Sequence, residues 1–316
     1  LTATWGVGWV ALANAAEPPA RLGRIGYLSL SPGPSPRSDA LRDGLRELGY
    51  LEGRSISIDY RWADGDLGRL RQAAAELVRS NVDMIVTGGP AATLAAKNAT
   101  ATIPIVMAVD YDPVGAGFVE SLAHPGGNIT GLSVRNPELS GKRLELLREI
   151  VPSLVRVAVL LNPAEPNAST FLSETQRAAT KMGLASQAFE LHEARELSIV
   201  IETIGKAGFQ ALAVLTDPVT LYHRAALAQL AGKYRIPAVY SERLFVEDGG
   251  LMSYGASDRE LHRQAASYVD KILKGTPPSS LPVQQPTKFE LVINRKAARE
   301  LGLTVSQSLL LLGELI

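Results

Sequence analysis

The chain has 316 residues, and its 32 Lys and Arg are balanced by 32 Asp and Glu. That length favours two domains, each able to bury its own core, and a neutral chain without a basic run carries no footprint for nucleic acid or an anionic membrane. The absence of cysteine removes disulfides, thiolate nucleophiles, iron–sulfur clusters and thiolate zinc sites together.

The first twenty residues, LTATWGVGWVALANAAEPPA, are apolar and small from Trp5 to Ala13, then offer Ala13-Asn14-Ala15 before a polar, Pro-containing spacer. This matches the end of a secretory signal peptide, although no Lys or Arg precedes Arg21. No other apolar run approaches the ~18 residues of a membrane span. Residues 1–20 are therefore expected to be a leader, and the mature chain to be exported without a spanning segment.

Beyond the leader, short apolar strands alternate with amphipathic helices. The first half places strands at 25–30, 56–61, 84–88, 105–109 and 129–134, separated by helical stretches such as SDALRDGLRELG and LGRLRQAAAELVRSN. The second half places them at 157–161, 185–191, 211–216, 238–240 and 251–254. Strict alternation predicts an α/β fold of parallel sheets with helices on both faces.

The two halves share a plan. Arg24 of RIGYLSLSP is answered by Arg156 of RVAVLLNPA, 132 positions on, and Gly49 by Gly183, 134 positions on. Pro90 is answered by Pro218 after 128 positions, and Pro104 by Pro237 after 133. Four landmarks in one order predict two similar doubly wound, Rossmann-like lobes, since the period is too long for a solenoid.

Gly89-Pro90, Asp112-Pro113 and Asp217-Pro218 each put a turn or capping residue before a proline at an expected helix start. Each follows the carboxyl end of a strand, the edge where open α/β sheets bind ligands and where free N–H groups favour anionic groups. Two such edges facing each other make a cleft.

The segments VDMIVTGGPAATLAAK, TIPIVMAVDYDPVGAGFVESLAHPGGNITG, GGLMSYGASDRELHRQAASYVDKILKG and LPVQQPTKFELVINRKAARELGL, spread over residues 24–304, carry a resemblance to a known family. Together they resemble ABC-type substrate-binding proteins of the type I periplasmic fold, in particular a subfamily that includes aromatic amino-acid binders. Only the end, LTVSQSLLLLGELI, departs from the pattern. The resemblance implies a monomeric, periplasmic or otherwise extracytoplasmic protein that captures a small solute by lobe closure and delivers it to an ABC permease and its ATPase. It also implies crossing strands, hence an N-terminal lobe of 21–134 with about 257–285 and a C-terminal lobe of 135–256 with about 286–316.

The strand-end loops supply the candidate ligand groups. These are Ser29, Ser31, Gly89, Pro90, Ala91, Asp110, Tyr111 and Asp112 from the first lobe, with Asn162, Asn167, Thr216, Asp217, Ser241, Glu242 and Tyr254 from the second. The GGPAAT joint lets a carboxylate approach backbone N–H groups. Asp112, Asp217 and Glu242 suit an ammonium, and Tyr111 or Tyr254 an apolar or aromatic side chain. An amino acid or aromatic compound satisfies these groups at once. The duller roles stay open: Asp112 and Asp217 serve equally as helix caps, Ser29 and Ser31 as caps near Ser35-Pro36, Asn162 and Asn167 as turn residues, and the tyrosines as core.

Enzyme readings find little. His124, His192, His223 and His262 occur singly without metal-ligand spacing. No GxSxG elbow or GxxxxGK[ST] loop occurs, and Gly88-Gly89 lacks the third glycine of a dinucleotide fingerprint, so neither cofactor nor metal is expected. A soluble sensor or regulator with the same two lobes, and a nucleotide-dependent α/β enzyme, remain as alternatives. The first lacks a preceding helix-turn-helix and the second a phosphate loop.

Overall fold

The computed structural model describes residues 22–134, 138–165 and 168–316. The expected leader and Asn167 lie outside them. Two sheets organise the chain. The first runs β2 (Ile56–Trp62), β1 (Gly23–Ser29), β3 (Met84–Thr87), β4 (Ile105–Met107), β5 (Ile129–Gly131), all parallel. The second holds seven strands: β12 (Glu314–Leu315), β11 (Glu290–Ile293), β10 (Met252–Gly255), β9 (Ala238–Tyr240), β8 (Ala211–Val214), β6 (Arg156–Leu161) and β7 (Ala185–Glu190).

The inner strands β3, β4, β8 and β9, and the edge strand β5, are buried throughout, as strands covered on both faces must be. Around the first sheet pack α1 (Pro36–Glu47), α2 (Leu67–Arg79) and α3 (Pro90–Ala99). The second carries α4 (Glu138–Ile150), α5 (Ala168–Lys181), α6 (Leu197–Lys206), α7 (Pro218–Tyr222), α8 (Arg224–Lys233) and α9 (Arg243–Glu247).

Two features depart from strict alternation. Strand β11 pairs antiparallel with β10, Met252 facing Ile293, and β12 adds parallel to β11, so the second sheet is mixed. The Asp112-Pro113 joint opens a series of turns instead of a helix, because Gly115 and Gly117 follow, and Gly117 takes a φ of +65° that ends any helical run.

Chain order and sheet membership part company after β10. Helix α10 (Asp258–Leu273) returns to the first sheet, where Leu261, Ala265, Tyr268 and Val269 join the core of Ile25, Tyr27 and Leu41. Gly44 on α1 makes that packing possible, since a Cβ there would collide with the carbonyl oxygen of Arg263. The chain then runs beside β5 through a bridge between Leu132 and Gln284 before entering β11. Helices α11 (Arg295–Glu300) and α12 (Gln307–Leu312) finish the second layer system. The chain therefore passes between the sheets three times, which leaves a hinged cleft between their carboxyl edges.

Candidate functional site

Between the sheets lies a cavity of about 800 Å³. A smaller chamber of about 60 Å³ adjoins it, and Tyr111, Glu242, Ala256 and Asp258 line both. Eight of the expected ligand residues reach the larger cavity: Ser29, Ser31, Gly89, Pro90, Ala91, Tyr111, Asp217 and Glu242. Thr216 and Ser241 line the smaller one, their hydroxyls hydrogen-bonded to each other.

Of the described remainder of the expected set, Asp110, Asp112, Asn162 and Tyr254 lie off both chambers. Asp110 is buried, accepting the Asp112 N–H at 3.1 Å, and Asp112 accepts the Gly115 N–H at 3.0 Å. Asn162 accepts the Ala164 N–H at 3.0 Å and interacts with Asp217. Tyr254 packs on the second-lobe core with its ring 6.2 Å from Phe289, and it is the Tyr254 carbonyl that faces a functional group.

Cavity geometry follows from local folding. Gly89 caps α3 with a φ of +150°, a conformation that favours glycine, and Pro90 occupies the first helical position where its missing N–H costs nothing. Asp217 caps α7 by accepting the N–H groups of Val219 at 2.7 Å and Thr220 at 3.2 Å and the Thr220 hydroxyl at 2.9 Å. Its carboxylate is thus largely committed to the cap.

A buried charge cluster closes the deep end. Arg37 at the start of α1 pairs with both Glu242, which follows β9, and Asp258, which opens α10. The Tyr111 hydroxyl donates to the other oxygen of Glu242 at 2.5 Å. Burial alone would lower the Arg37 guanidinium, and the two carboxylates outweigh it and hold it above its ordinary range. Burial raises Glu242, with Asp258 adding to the shift and Arg37 opposing it. Beside them His262 turns Nδ1 to the Asp258 carbonyl at 2.8 Å, and burial lowers it to about 3, so it stays neutral.

Two more carboxylates are held near neutrality. Burial pushes Asp110 up to about 7 against the Asp112 N–H hydrogen bond, with the charges of Asp112 and Glu165 adding to the rise. Burial and the Asp217 charge push Glu165 up to about 7. No group of His, Asp and Glu among the described residues is arranged to hold a metal ion.

Arg37, Asp258, Arg143, Phe171 and Tyr222 were not among the expected site residues, yet all line a chamber. Tyr222 of α7 also crosses the cleft, donating to Asp64 at 3.1 Å. Arg37 and Tyr111, both reaching Glu242, also join the two layer systems across the cleft.

A two-lobed α/β protein with a cavity between its two sheets has the architecture of a solute receptor. Residues 31–314 match the family of ABC transporter substrate binding proteins. The chain is 29% identical over 261 residues to a tyrosine-binding protein of Clostridioides difficile (strain R20291), covering 82% of this chain and 74% of that protein. Among solved structures it resembles an ABC domain in complex with L-Trp from Streptococcus pneumonia, at 28% identity and a TM-score of 0.87, over 93% of this chain and 100% of the other. It also resembles the ligand-free, open structure of a Clostridium difficile substrate binding protein with adhesive properties, at 26% identity and a TM-score of 0.70, over 93% and 99%.

The chain belongs to the ABC transporter substrate-binding protein family, with the type I periplasmic binding fold. Its function is solute capture for ABC transport outside the cytoplasm. No helix among the described residues is long and apolar enough to cross a membrane.

Proposed function

We propose that this protein is the periplasmic receptor of an ABC importer for an amino acid, in particular an aromatic one, and that it binds this solute reversibly without chemical change. The observation that carries the reading is the interlobe cavity with Arg37 and Tyr111 joined to Glu242 across its deep end. Its walls mix proline, leucine and tyrosine with a few buried charges, the composition of a site that fixes a polar head and envelops an apolar body. The relative named a tyrosine-binding protein and the ABC domain in complex with L-Trp point the same way. Superposition is better on the L-Trp complex than on the open form, in keeping with a closed cleft.

The lobes of this reading are 21–134 with about 257–285, and 135–256 with about 286–316, matching the return of α10 to the first sheet. Closure is a population shift: the solute binds the closed form better and a permease recognises that form. Residues 1–20 act as the export signal.

Thermal unfolding of the leaderless chain with L-tyrosine, L-tryptophan, other amino acids, sugars and nucleotides tests the proposal. A ligand at a hundred times its dissociation constant adds about 2.7 kcal/mol of stability. A rise with an amino acid recovered unaltered supports the reading; a rise confined to sugars or nucleotides, or turnover of the solute, overturns it.

A further inference from the structure

We propose that Arg143 anchors the ligand's carboxylate in the small inner chamber, so that the solute is an α-amino acid inserted head first. This rests on the reading above, that the cleft takes an amino acid, and deepens it by assigning a specificity residue and an orientation.

Arg143 sits on the buried stripe of α4, one turn from Leu139 and one from Leu147, both of which are core residues. Arginine at such a position is expensive unless its charge and donors are used. Only Nε is engaged, donating to the Tyr254 carbonyl at 2.7 Å, which fixes the plane of the guanidinium. Among the described residues no carboxylate lies within ion-pair distance of it, and its terminal nitrogens have no protein acceptor. Glu242, which lines the same chamber, is already occupied by Arg37 and Tyr111. Burial accordingly lowers Arg143 to about 10, unlike Arg37 with its two carboxylates.

The chamber is shaped for a head group. Its volume of about 60 Å³ is lined by the Arg143 guanidinium, the Thr216 and Ser241 hydroxyls, Phe171 and the Tyr111–Glu242 wall. Gly255 lets the backbone pass close to the Ser241 carbonyl oxygen, with which a Cβ there would collide, beside the guanidinium. A planar fork with free donors is the geometry that takes a carboxylate in two parallel hydrogen bonds.

Charge distribution selects the zwitterion. Arg37 faces two carboxylates, Glu242 and Asp258, so acceptor oxygens outnumber the one guanidinium at that end, and Arg143 supplies a positive charge at the other. An α-amino acid lays its carboxylate on Arg143 and its ammonium toward Asp258 and Glu242. Its side chain then extends into the larger cavity, which shares those walls. An amine leaves Arg143 unpaired, and a plain carboxylic acid leaves the acidic end unpaired.

Calorimetry with L-tyrosine, L-tryptophan and their decarboxylated amines, tyramine and tryptamine, tests this on the wild-type chain, Arg143→Gln and Arg143→Lys. Wild type is expected to favour an amino acid over its amine by about ten- to a hundredfold, the worth of a charge-assisted hydrogen-bond pair. Arg143→Gln loses that factor for the amino acid and leaves the amine unchanged. Arg143→Lys, which keeps charge and packing without the fork, falls between, and it decides the question if the Gln variant does not fold. Amino-acid affinity within threefold of wild type in a folded Gln variant, or in the Lys variant when only that one folds, overturns the role of Arg143 while leaving the receptor reading intact. A wild-type chain that binds neither amino acid but binds a sugar or nucleotide overturns both.

Discussion

Arg37 of the first layer system and Glu242 of the second form a buried ion pair across the cleft, and Tyr111 donates to the same carboxylate from the first side. Removing one member of a buried pair strands the other, which costs about 3–5 kcal/mol. Arg37→Met is expected to lower stability in urea by that order and to increase the radius of gyration of the ligand-free protein in X-ray scattering, because the lobes lose their strongest joint. A loss below about 1 kcal/mol with an unchanged radius would show that the pair does not hold the cleft closed.

Asp110 gives a pH-dependent prediction. Burial raises its carboxyl from the ordinary 3.8 to about 7, so the folded state holds a proton that the unfolded state has released between those values. Stability then falls as pH rises through this window, because the folded form binds more protons. Asp110→Asn keeps the oxygen that accepts the Asp112 N–H and removes the charge. It should match wild type near pH 4 and exceed it at pH 8 by at most about 4 kcal/mol. Urea midpoints across pH that stay parallel for the two proteins would refute the buried charge.

The lobes and most strands were legible because buried parallel strands are short apolar runs and the landmark spacing repeats. Strand β11 was not, since ELVI is brief and follows a Pro-rich crossing, and its antiparallel pairing is decided by where the chain re-enters the sheet. The deep charge cluster had a readable signal that the strand-end search passed over. Arg37 falls four and eight residues before the buried Leu41 and Leu45, Asp258 falls four before His262, and Arg143 falls between Leu139 and Leu147. A charge on an apolar helical stripe demands a partner, although the sequence does not say which one, because the partners lie more than 200 positions away for Arg37.

Asp217 and Glu165 should prove coupled. Asp217 caps α7, and its charge helps raise Glu165 to about 7. Asparagine caps as well as aspartate, whereas alanine costs about 0.5–2 kcal/mol. Asp217→Asn is therefore expected to keep stability and lower the Glu165 titration seen by carbon-13 NMR, and Asp217→Ala to lower both. A Glu165 titration that does not move in Asp217→Asn would place the cause in burial alone.

Gly255 and Gly232 should respond oppositely to the same added methyl. A Cβ on Gly255 would collide with the Ser241 carbonyl oxygen, a backbone atom that cannot turn aside, at the floor of the inner chamber. Gly255→Ala is expected to cost about 1–3 kcal/mol by overpacking and to weaken ligand binding by displacing Ser241 and Arg143. Gly232, exposed in the last turn of α8, has nothing within 4 Å of such a Cβ. There alanine restricts the unfolded chain without strain, so Gly232→Ala should raise stability by up to about 1 kcal/mol and leave affinity unchanged. Urea unfolding and calorimetry on both variants separate the two effects: equal changes in affinity would mean that Gly255 does not shape the site.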